Sequence, residues 1–213
     1  SDQRFVMFGQ GQAGLGIARQ ICTGLIMEGL SRKEAEDRIF GIDKDGLLLK
    51  GMPMSEEQQM FAKDPSFVAN WTVADRSHIT LLETIKNAKA TVLFGVTGQS
   101  GAFNEEILKA MAANDPQAMI MPISNPTIKA EATPEQVVAA AGPNVLIATG
   151  SPFKPVKVEG GEKIISQCNN LYIFPGVGLG ALISGTPKVT DEMFMAASQA
   201  LSDLVSAEDL KAG

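Results

Sequence analysis

The sequence predicts an α/β fold, a doubly wound and mostly parallel sheet in a single domain. Three observations carry that expectation. Short runs that are apolar on consecutive residues recur along the chain, as in strands covered on both faces. Amphipathic segments alternate with them, as helices alternate with the strands of such a sheet. The first run also leads straight into a stretch dense in glycine. With 213 residues, 45% of them hydrophobic, the chain has material for a sizeable core.

The expected strands are RFVMF (4–8), RIFGID (38–43), TVLFGV (91–96), AMIMPI (118–123) and VLIAT (145–149), each bounded by Gly, Pro, Asp or Asn. Helices are expected near 13–29, 79–87, 104–113 and 134–141. The last of these opens on TPEQVVAAA, with a threonine cap, proline at the first helical position and glutamate in the first turn. A final helix is expected over 190–205, with Met193, Ala197, Leu201 and Leu204 forming an apolar face toward a core. Residues 150–188, rich in Gly and Pro, read as a long loop of the kind that carries function.

The stretch FGQGQAGLG fits G-x-G-x-x-G at Gly9, Gly11 and Gly14, after a strand and at the start of a helix. The first glycine permits a tight turn, the second a close backbone approach to a pyrophosphate, and the third packing of helix on strand. The opening residues of that helix, Gln12 and Ala13, then face the phosphates through free N–H groups and the positive end of the helix dipole. Gly16 is expected to add close packing. The second strand ends on Asp43, placed to accept a hydrogen bond from an adenine ribose; the alternative is a turn residue in DKDG. Asp43 follows Gly14 by 29 residues, against roughly 20 in compact versions, and a long first helix is expected to account for the excess. A Rossmann-like dinucleotide site follows. Asp43 favours NAD over NADP by repelling a 2′-phosphate, with Lys44 beside it as a partial offset.

Three further loops sit at the carboxyl ends of expected strands, where such sheets bind ligands. FGVTGQSGAF offers Thr97 and Gly98 to the cofactor, PISNPT offers Ser124 and Asn125, and SQCNNLYIFPG offers Asn169 and Asn170. The asparagines either stabilise turns or grip carboxylate and hydroxyl oxygens without adding charge.

Other chemistry is excluded by the inventory. A net charge of −6 argues against a nucleic-acid surface. No apolar run approaches a membrane span, and no signal peptide opens the chain. Cys22 and Cys168 fit no metal pattern, and Cys22 reads as a buried thiol; such sparse usage suits a reducing cytoplasm. The one histidine, His78, reads as an exposed loop residue, and Tyr172 as a packing residue.

FGQGQAGLGIA, GIDKDGLLLKG, GVTGQSGAFNEEI, PISNPTIKAEATPEQ, ATGSPFKPV and QCNNLYIFPGVGLG resemble, in order, successive motifs of the malic enzyme family. The resemblance covers nearly all of the chain, 1–213, and implies its NAD(P)-binding domain. It implies oxidative decarboxylation of L-malate to pyruvate and CO2 with NAD(P)+ and Mg2+ or Mn2+. It places Asn125 near substrate and nicotinamide, and Asn169 and Asn170 in the malate pocket. The family's catalytic tyrosine and lysine and its metal carboxylates belong to motifs upstream of the glycine loop. The chain therefore reads as a fragment holding no catalytic or metal residue, inactive alone and homo-oligomeric when whole. Two alternatives remain: the related malolactic enzymes, to which GQSGAF is similar, and a non-catalytic dinucleotide-binding module.

Overall fold

A computed structural model describes residues 2–212. The chain divides into two compact units, Ser1–Cys168 and Asn169–Gly213.

The first unit is built on a seven-stranded sheet. Its strands are β1 (Phe5–Phe8), β2 (Ile39–Asp43), β3 (Gly46–Leu47), β4 (Val92–Gly95), β5 (Met119–Pro122), β6 (Leu146–Thr149) and β9 (Ser166–Gln167). The order across the sheet is β3-β2-β1-β4-β5-β6-β9. All pairings are parallel except β2 with β3, which form an antiparallel hairpin. The chain moves outward from β1 through β2 and β3, then returns to the other side of β1 with β4. That reversal creates a crevice at the carboxyl ends of the strands.

Alternation of side chains divides the core between the two faces of the sheet. Val6, Phe40, Leu93 and Ile120 face one way, against α4 (Leu81–Ala88), α5 (Glu105–Asn114) and α6 (Pro134–Ala141). Met7, Ile39, Phe94 and Met121 face the other, against α1 (Gln12–Met27) and α2 (Arg32–Asp37). Burial on both faces explains why the strands read as unbroken apolar runs. Cys22 lies in the second of these cores, and burial pushes its thiol pKa up.

Two expectations about elements need correction. The first helix is not continuous: α1 ends at Met27, Gly29 turns at φ +99°, and α2 restarts behind Ser31. Ser31 and Glu34 form a reciprocal capping box, so the break is written into the sequence as S-x-x-E. Residues 150–188 are not one loop either. They contain the hairpin β7 (Val156–Val158) with β8 (Gly161–Lys163), strand β9, and helix α7 (Phe174–Ser184).

Between β3 and α4 lies the short helix α3 (Glu56–Gln59), followed by Lys63, which is only 3% exposed. The Lys63 ammonium donates to the Glu36 carbonyl at 2.5 Å and lies 4.7 Å from the Phe40 ring centre. Burial lowers its pKa to about 7, with Asp37 and Glu36 pulling back toward the charged form.

The second unit consists of a 3-10 turn (Asn170–Tyr172), α7, α8 (Asp191–Ser202) and α9 (Ala207–Ala212). Met193, Ala197, Leu201 and Leu204 line a groove together with Tyr172, Ile173 and Val177. They are not core residues as expected, since Leu204 is 78% exposed. Among the described residues no helix is long and apolar enough to cross a membrane.

Candidate functional site

The three motif glycines are held for different reasons. Gly9 leaves β1 at φ +107°, and a Cβ there would lie 2.8 Å from the Val96 carbonyl oxygen. A Cβ on Gly14 would lie 1.9 Å from the Gly9 carbonyl oxygen, so helix, loop and strand meet there without room for a methyl group. Gly11 differs from both. It precedes α1 in extended backbone that any residue can adopt, and a Cβ there meets nothing within 4 Å. The fold does not demand glycine at 11; the space before the helix is open. Gly16, expected to pack closely, is exposed and also touches nothing, so that expectation fails.

Helix α1 has no side-chain cap and no acidic residue in its first turn, which holds Gln12 and Ala13. Its leading N–H groups and positive dipole end thus meet neither a side-chain cap nor a first-turn acid among the described residues, a combination suited to an anion.

A cleft of about 530 Å³ lies over this helix start. Its walls are Gly9–Gly11, Asp43 and Lys44 at the end of β2, His78 and Thr80 ahead of α4, and Thr97 and Gln99 beyond β4. The glycine loop and Asp43 therefore meet in one cavity. His78 is exposed, as expected, but it belongs to this cleft.

Asp43 is fixed on both oxygens. Its Oδ1 accepts from the Lys44 N–H at 2.9 Å, and its Oδ2 accepts from the Gln58 side-chain amide at 3.1 Å. The same Gln58 nitrogen donates to the Gln10 carbonyl at 3.1 Å, so one amide ties the acid to the glycine loop. Gln58 is itself fixed in a capping box with Ser55 at the start of α3. Gln10, buried, donates to the carbonyls of Met7 and Gly9, and its side chain fills the place a Cβ on Gly41 would take. Sequence reasoning passed over Gln58, whose only local signal is the S-x-x-Q spacing from Ser55. Its reach across to Asp43 leaves no such signal.

Behind the next loops lies Glu131, fully buried. Its Oε1 accepts from the Thr97 N–H at 2.8 Å, the Thr97 hydroxyl at 2.9 Å and the Ser124 hydroxyl at 2.6 Å. Ser124 in turn accepts from the Gly98 N–H at 2.9 Å. Gly95 lacks a side chain where Glu131 packs, since a Cβ there would lie 2.6 Å from the carboxyl carbon. Nothing in KAEAT signals a buried acid, and sequence reasoning missed it.

Of the other expected site residues, Thr97 lines the cleft with its hydroxyl committed to Glu131. Gly98 and Asn125 stand in neighbouring loops outside the cleft wall, and the Asn125 side-chain oxygen accepts from the Ser151 hydroxyl. Asn169 and Asn170 belong to the second unit, where Asn169 accepts from the Leu171 N–H at 2.9 Å and opens the 3-10 turn. Among the described residues, no group of three or more His, Cys, Asp or Glu side chains is arranged to hold a metal ion.

Fold and cleft together define a doubly wound α/β protein with its ligand crevice at the reversal of strand order. Residues 1–213 match the family model described as malic enzyme, NAD binding domain, and the chain belongs to that family. It is 45% identical over 202 residues to an NAD-dependent malic enzyme of Pseudomonas savastanoi pv. phaseolicola. It is 44% identical over 203 residues to one of Shewanella woodyi, and 46% over 203 to one of Edwardsiella ictaluri. These matches cover 94–95% of this chain and 36% of each relative, so the chain spans about a third of their length.

Proposed function

We propose that this chain binds NAD and forms the nucleotide-binding part of an enzyme that converts L-malate to pyruvate and CO2. One observation carries the reading: the open, uncapped start of α1 at Gly11 and the oriented carboxylate of Asp43 face a single cleft. Gly9, Gly11 and Gly14, with the N–H groups of Gln12 and Ala13, would hold the pyrophosphate. Asp43 would accept from the ribose hydroxyls. A 2′-phosphate would meet that carboxylate, which favours NAD over NADP, although Lys44 lines the same cleft. Bound NAD supplies the hydride acceptor for oxidation at the malate hydroxyl carbon.

Toward the nicotinamide, Thr97, Gly98 and Asn125 belong to loops tied together through Glu131, Ser124 and Ser151. Asn125 would supply a neutral donor to a malate oxygen. The Mg2+ or Mn2+ that the family resemblance implies finds no ligand cluster among the described residues. Two unpaired cysteines accord with a reducing cytoplasm. Product analysis tests the reading on the full-length protein. With L-malate, NAD+ and Mn2+ it should release pyruvate and NADH in equal amounts. Lactate without net NADH, or no conversion, would contradict it.

A further inference from the structure

Glu131 combines full burial with an uneven set of partners. Three donors converge on Oε1, while Oε2 is buried and has no hydrogen-bond partner among the described residues. Among the described residues no lysine, arginine or histidine forms an ion pair with it. Three hydrogen bonds would be served as well by a neutral acceptor such as a glutamine oxygen. Tying the loops together does not by itself explain a carboxylate.

Its position suggests what the charge does. Asp43, at the end of β2, marks the adenosine side of the cleft, and the glycine loop at the end of β1 marks the pyrophosphate. A dinucleotide crossing β1 must then place its nicotinamide on the far side, over the ends of β4 and β5. Glu131 lies under that side, bonded to Thr97 after β4 and Ser124 after β5. Oxidised nicotinamide is cationic and becomes neutral on accepting hydride, so the net charge of the cofactor falls from −1 to −2. A fixed negative charge in the protein interior, little screened by salt, acts against that change.

We propose that Glu131 sets the redox preference of the cleft, its buried carboxylate favouring NAD+ over NADH. The inference rests on the NAD reading above. At an effective dielectric of roughly 20–40, a charge of this kind gives a preference on the order of tenfold. The practical effect is a cofactor held before oxidation of substrate and released more readily after it.

The test compares Kd for NAD+ and NADH in the chain and in Glu131→Gln, which keeps the side-chain volume and an oxygen for the three donors. The ratio Kd(NADH)/Kd(NAD+) should fall on the order of tenfold in the variant. A ratio that stays constant while both affinities drop would overturn the inference and leave Glu131 a structural tie. Ser124→Ala removes one tie and keeps the charge, so it should weaken both nucleotides together. A ratio shift in Ser124→Ala would also overturn the inference, and this arm decides if Glu131→Gln does not fold. If the unmodified chain binds neither nucleotide, the NAD reading itself fails, an outcome distinct from both of these.

Discussion

A methyl group added at Gly14 would meet the Gly9 carbonyl at 1.9 Å, while one added at Gly11 meets nothing within 4 Å. Gly14→Ala should therefore cost at least about 2 kcal/mol of stability, because backbone must move to admit the atom. Gly11→Ala should change stability by less than about 1 kcal/mol, since its backbone conformation suits any residue. Urea melts of the two variants check the contrast, and equal losses would refute it. The G-x-G-x-x-G spacing was legible in the sequence. The distinction between its glycines was not, because it depends on which atoms stand opposite each Cα. Gln58 makes the same point, since its bond to Asp43 joins residues from separate elements. Gln58→Ala should leave NAD+ binding but lower the preference for NAD+ over NADP+ about fivefold, for a bond worth roughly 1 kcal/mol. Paired titrations with the two nucleotides measure it; an unchanged ratio would show that Asp43 needs no such support.

At the scale of elements, β1, β2, β4, β5 and β6 were legible to within a residue or so, because burial on both faces leaves an unmistakable apolar run, whereas the two-residue strands β3 and β9 were too short to leave one. Val6 and Met7 illustrate it, adjacent in sequence and buried in opposite cores. Helices with poor amphipathic pattern were harder. In α7, FPGVGLGALIS, glycines and apolar residues run together without a polar face, so the segment read as loop. The segment around Lys63 makes a pH prediction. Its folded pKa, about 7, lies below the unfolded value of roughly 10.4. Between those values the unfolded chain holds the extra proton, so this residue makes stability rise with pH from about 7 toward 10. Below about pH 7 both states are protonated, and the full cost of burying the charge remains. Lys63→Met should be more stable than the parent at pH 6.5, with the difference shrinking by pH 9.5. Thermal melts at both pH values decide it; a difference that stays constant would mean that the ammonium is not confined as described.

For the whole molecule, the fold class was legible because many elements repeat the same message, and errors in single elements do not disturb it. The candidate site was legible where one motif carried it, at Gly9–Gly14 and Asp43. It was illegible where buried polar residues such as Glu131 and Gln10 support the loops from behind. Asn169 and Asn170 were singled out by residue type, and their places in the second unit follow from local turn geometry. The central claim concerns the cleft of the first unit, and calorimetric titration of NAD+ into the chain and into Gly11→Val tests it most directly. The chain should bind NAD+ at one site. Gly11→Val, placing a branched side chain in the open space before α1, should melt within a few degrees of the parent and lose at least about tenfold in affinity, roughly 1.4 kcal/mol. A folded Gly11→Val chain that binds NAD+ as tightly as the parent would contradict the account.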